Sequence, residues 1–189
     1  MWWLVAALNR PIIESNYGME SVGLFSVANK IPSLIAVVFS VFAYAWQISV
    51  MEEFKKEGYR EFYNRVLRLL FLVLTILSCG LAIFSELLVS FVVDEKYVEA
   101  WKYVPILSIA VLFSSLAGFS GANFSAAKVS KYYFYSSFWG ALTSVILSFI
   151  LIPMFNLYGA AIAIVLSHAA TAALRIKYSW QYVKITQWY

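Results

Sequence analysis

The chain has 189 residues, 62% of them hydrophobic, 19% aromatic and 13% charged, with 14 Lys and Arg against 10 Asp and Glu. At a mean hydropathy of +0.77 it is too apolar for a soluble domain, whose apolar share is nearer half. That excludes a soluble enzyme or a nucleic-acid partner and leaves an all-α integral membrane protein as the expected class.

A helix rising about 1.5 Å per residue needs about 20 apolar residues to cross a hydrocarbon core of about 30 Å. The first apolar run, "MWWLVAAL", is too short alone; it is read as a partial span over residues 1–14, continued through "NRPIIES" with Pro11 as a kink. No basic segment precedes it and no small-residue cleavage site follows, so it is not read as a signal peptide. Full spans are predicted at 22–50, 66–91, 103–126, 132–152 and 157–178, giving five plus the partial first in a single transmembrane domain over 1–189. None of these runs alternates apolar and polar residues as a membrane barrel strand does, so helices are the form that satisfies the backbone in lipid. Residues 51–64 form the one longer polar connector; Glu52 and Glu53 stand at near-helical spacing from Lys56, and a short helix on the cytoplasmic surface is expected.

Charge sets the orientation. Lys55, Lys56, Arg60, Arg65, Arg68, Lys128, Lys131, Arg175, Lys177 and Lys184 fall on one side, whereas the alternate connections carry only Lys96 and Lys102. The positive-inside rule places the richer side, with the C-terminus, in the cytoplasm and the turns at 15–21, 94–100 and 153–158 outside, as a multi-pass protein of the inner (plasma) membrane.

Catalytic and metal chemistry have no constellation to work with. Cys79 and His168 are each the single residue of their type, both within apolar helices, so no disulfide or Cys-based metal site forms within the chain, and His168 is read as a packing or helix-to-helix hydrogen-bonding residue. No phosphate loop, nucleophile elbow or paired-histidine zinc motif is present, and neither an enzyme nor a cofactor is expected.

The functional signal is polarity inside the spans, because a Lys or Arg at mid-bilayer costs roughly 2.5–3.5 kcal/mol and is kept where it faces protein or water. In "VGLFSVANKIPSLIAVVFSVFAYAWQI", Lys30 shares an arc about 100° wide with Ser26, Asn29, Ser33, Ser40, Tyr44 and Gln47, at 100° per residue. Arg10 stands at similar depth in the preceding helix, with Glu14 one turn on as a possible partner. Two cations on adjacent helices point to an anionic cargo. Arg10 and Lys30 are the candidate anion contacts, and Asn29, Ser33, Tyr44 and Gln47 the candidate polar lining. The later stretches "LFSSLAGFSGANFSAA" and "LYGAAIAIVLSHAATAA" are rich in small residues at three- and four-residue spacing and are read as packing surfaces.

In order, "NR", "GMESVGLFSVANKI", "AW", "FVVDEKYVEAWKYVPILSIAVLFSSLAG", "SAAK" and "LIPMFNLYGAAIA" resemble the C-terminal half of the polysaccharide biosynthesis flippases of the O-antigen type, relatives of the MATE exporters. The resemblance implies a fold of two six-helix lobes around a cavity, of which this chain is one lobe. It also implies the transfer of undecaprenyl-diphosphate-linked oligosaccharide units to the outer leaflet. Arg10 then matches the arginine of the family's "D-R" pair, with Asn9 where aspartate is usual, and Lys30 the lysine of its "YSVAxKI" stretch. The implied partners are the lipid-linked oligosaccharide, the bilayer and a missing N-terminal lobe. A cation-coupled small-molecule exporter of the MATE kind and a non-transporting membrane scaffold are the alternatives.

Overall fold

In the computed structural model the backbone is described over residues 2–185 and the side chains over residues 9–181. Most of the 1–14 run and the tail with Lys184 therefore lie outside the described side chains. No strand occurs among the described residues, and the chain orders as α1 (Trp2–Glu53), α2 (Tyr59–Ile83), α3 (Ser85–Val92), a 3-10 segment (Glu95–Tyr103), α4 (Val104–Ala126) and α5 (Ser130–Ile185). Four helical stretches are long and apolar enough to cross a membrane: Asn9–Glu53, Tyr59–Ile83, Glu95–Ala126 and Ser130–Gln181.

Helices α1 and α5 are each folded back on themselves. In α1 the break is Gly18, at φ 79° and ψ 172°, a conformation closed to residues with a Cβ. Pro11 and Pro32 remain within helical backbone. In α5 the break is Phe155 and Asn156, the latter at φ 54°, just after Pro153. Its limbs run antiparallel: Arg175 reaches Ser136 and Ser137, and a Cβ on Gly140 would lie 1.9 Å from Thr171 Oγ1. Past the break, Gly159 sits so close to the first limb that a Cβ would lie 1.9 Å from the Leu151 carbonyl oxygen. The Tyr17 hydroxyl, beside the α1 break, donates to the Ile152 and Pro153 carbonyls at 3.0 and 3.2 Å, which the interrupted helix leaves without their usual N–H partners.

The 54–58 connection is a turn with no helix of its own; α1 and α2 run up to it, and Glu53 pairs with Lys56 at 2.7 Å. That hydrogen bond and charge raise the Lys56 ammonium above its ordinary pKa. At the far end of the bundle, the 3-10 segment packs Tyr97 against Gly23 and joins Lys96 to Glu20 at 3.2 Å. Helix α4 stops in a Schellman turn: Lys128 takes φ 56°, Val129 N–H donates to the Phe124 carbonyl and Lys128 N–H to that of Ser125.

Two apolar cores fill the bundle. One gathers Ile13, Phe25, Ala28, Val104, Leu107, Ile152 and Ala161 near the breaks at 18 and 155–156. The other gathers Trp46, Tyr59, Tyr63, Leu116 and Phe119 near the turns at 54–58 and 127–129. In the second, Trp46 stacks on Phe119 at 4.3 Å between ring centroids and donates its Nε1–H to the Phe119 carbonyl at 3.0 Å. Tyr59 donates to Asn123 Oδ1, and Asn123 Nδ2 to the Ser179 hydroxyl, tying α2, α4 and α5 together. Helix α4 is the most enclosed element, and its small residues Ala110, Ala117, Ser120 and Gly121 face neighbouring helices. Outward-facing Leu34, Val38, Val41, Leu69, Leu72 and Ile76 are exposed, as lipid-facing positions must be.

Candidate functional site

A cavity of about 570 Å³ opens between the two limbs of α1, α4 and the second limb of α5. Asn9, Arg10 and Ile13 enter it from the first limb of α1, and Ser26, Asn29, Lys30 and Ser33 from the second. These residues meet because Gly18 reverses the chain between them, and because positions 26, 29, 30 and 33 share one helical face. Leu107, Val111 and Ser114 of α4 and Ile164 and His168 of α5 complete the wall.

Of the polar arc, the structure brings Ser26, Asn29, Lys30 and Ser33 to this cavity, and Arg10 joins them from the first limb. Tyr44, at 75% exposure, and Gln47 lie further along α1, outside this cavity and on its open side. The reason is the wall opposite: α4 and α5 back the upper turns of the limb, whereas beyond residue 36 the arc faces away from the bundle.

Among the described residues no acid lines the cavity. Among the described residues, Arg10 and Lys30 have no ion-pair or hydrogen-bond partner, and Glu14 does not pair with Arg10. Both cations are exposed, so their charge stays available. The neutral groups are oriented by their own helix: Asn29 Nδ2 donates to the Phe25 carbonyl at 2.9 Å, Ser26 to that of Val22 at 2.7 Å, and Ser33 to that of Lys30 at 2.5 Å. Each thereby spends a donor and turns acceptor capacity toward the cavity, the character that sugar hydroxyls need.

Asn9 and His168 also line this space, and the polar arc of a single helix could not point to them. Asn9 is only 3% exposed; its Oδ1 accepts the Ser148 hydroxyl at 2.7 Å, while its Nδ2 is buried with no partner. Leaving that N–H unmet costs free energy, and an oxygen from outside reaches it only if the side chain or its neighbours shift. His168, half-buried on α5, lines the wall opposite Lys30's helix. No cluster of three or more metal-ligating side chains occurs among the described residues.

No curated protein and no solved structure matches the chain. A family model described as polysaccharide biosynthesis protein matches residues 1–102. The matched part holds both limbs of α1, with Arg10 and Lys30, together with α2 and α3. More than half of the sequence therefore fits one family, and the chain belongs to the polysaccharide biosynthesis protein family.

Proposed function

We propose that this protein is one lobe of a flippase that carries undecaprenyl-diphosphate-linked oligosaccharide units across the inner membrane for surface polysaccharide assembly. The observation that carries this reading is the pair of unpartnered cations, Arg10 and Lys30, on the two limbs of α1 in a cavity without an acid. Two cations lining one cavity suit a diphosphate, which carries charge on several oxygens. Asn29 and Ser33 offer acceptors to sugar hydroxyls. Tyr44 and Gln47, on the open side, would meet the oligosaccharide or a second lobe.

Lys30 and Ser33 of this cavity are exposed at its open side, and alternating access works by rocking one repeat against another around a site near the midplane. A second lobe, in another chain or another segment, would supply the opposite wall. The preponderance of Lys and Arg at the turns after α1 and α4 supports a cytoplasmic position for that end and for the C-terminus. A cation exporter of the MATE kind would call for acids there, and the cavity has none.

The test is Lys30→Gln in the assembled transporter. Surface polysaccharide is expected to be lost with the protein still present in the membrane, while Leu72→Ala, on the exposed apolar side of α2 and outside the cavity, retains it. Normal polysaccharide with Lys30→Gln would refute the anion-contact role.

A further inference from the structure

Arg175 is expected from the sequence among the cytoplasmic tail charges, yet it is 7% exposed and lies within the bundle, between the limbs of α5 and the end of α4. Its Nε donates to Ser136 Oγ at 3.1 Å, Nη1 to the Ala117 carbonyl at 3.1 Å and Nη2 to Ser137 Oγ at 2.9 Å, and its Cζ lies 4.0 Å from the Tyr133 ring centroid. Every one of these partners is neutral, and no carboxylate pairs with it among the described residues. A buried guanidinium without a counter-charge is costly, so a site for an anion beside it relieves an existing penalty.

Such a site is present. A second cavity, of about 450 Å³, opens to the outside of the bundle at the α4–α5 turn, and Ser125, Ser130, Tyr133 and Ser137 line it. Ser137 accepts from Arg175, which leaves its own hydroxyl proton free to donate outward, so the cation's polarity is handed on to the groove. Among the described residues, Ser125 and Ser130 likewise spend no proton on a protein acceptor, unlike Ser26, Ser33 and Ser40 in α1. Exposed Lys128 and Lys131 flank the same turn.

The rest of the surface tells what kind of anion fits. From the groove an exposed apolar stripe, Phe134, Phe138, Leu142, Ile146 and Ile150, runs up the first limb of α5 at four-residue spacing. It is about 24 Å long at about 1.5 Å per residue, close to the reach of one acyl chain. We propose that this groove holds the phosphate of an anionic phospholipid in the leaflet at the α4–α5 turn, with an acyl chain laid along the stripe.

The test is lipid retention by the purified full chain, counted by native mass spectrometry during titration with phosphatidylglycerol or phosphatidylcholine. One phosphatidylglycerol is expected to be held about tenfold more tightly than phosphatidylcholine, and the Ser130→Ala/Ser137→Val double variant to bring the two within about twofold. Arg175→Gln is expected to do the same; should that variant fail to fold, the double variant still decides. Equal retention of both lipids by the unaltered chain, an unchanged preference in the double variant, or displacement of the lipid by millimolar inorganic phosphate would overturn the proposal. The double variant leaves the cavity of Arg10 and Lys30 untouched, so its failure leaves the transport reading standing, and the reverse.

Discussion

Replacing Asn9 by aspartate exchanges one atom group and reverses what the cavity offers. The amide oxygen and a carboxylate oxygen accept the Ser148 hydroxyl alike, so the 2.7 Å bond that seats this side chain survives. The unpartnered Nδ2, the one buried side-chain donor left unmet among the described residues, becomes a second acceptor. A hydrogen bond to a charged oxygen contributes about 1.5–3 kcal/mol, and its loss corresponds to about a tenfold to hundredfold rise in Kd. The new carboxylate also stands beside Arg10 and offsets part of its charge toward cargo. The assay is binding of a lipid-diphosphate sugar to purified protein in detergent, with ligand-free thermal unfolding in parallel. Weakened binding is expected, together with a lower melting temperature, because the new carboxylate is as buried as the amide it replaces. Equal or tighter binding by Asn9→Asp would refute the assignment of Asn9 as a donor to an anion.

Two further substitutions probe the frame that positions this site. Trp46→Phe keeps the ring stack on Phe119 but leaves the buried Phe119 carbonyl without its 3.0 Å donor; a loss of about 1–3 kcal/mol is expected, seen as a lower melting temperature with cargo binding retained. Gly159→Ala drives a Cβ to 1.9 Å from the Leu151 carbonyl oxygen; backbone must shift, costing about 1–3 kcal/mol or more, and an unchanged melting temperature would contradict the close approach of the α5 limbs.

How far the sequence reveals this architecture depends on the range of the interaction. The reversal at Gly18 falls within "NYGME", where a glycine can take a positive φ that its neighbours cannot, and the small residues after Pro153 announce the tight limb packing at Gly159, Ala160 and Ala161. The side of α1 that turns inward at Asn29, Lys30 and Ser33 is legible from helical period alone. Period says nothing about how far along that side another helix stands opposite, which is why Tyr44 and Gln47 share the arc and not the cavity. Asn9 depends on Ser148, 139 positions away. Arg175 reads as a tail charge because it ends an apolar run; only the return of α5 on itself, which sets Ser136 and Ser137 against it, draws it inside.

Tyr17 gives the bundle a mechanical bias. Its one hydroxyl clasps the tip of the α1 hairpin to the broken turn of α5 through two carbonyls. The tips of both hairpins are therefore tied to one another, and spreading them apart would break both bonds at once. If the proposed transport reading holds, a rearrangement that admits or releases cargo is expected to swing these two hairpins together, with the clasp closed.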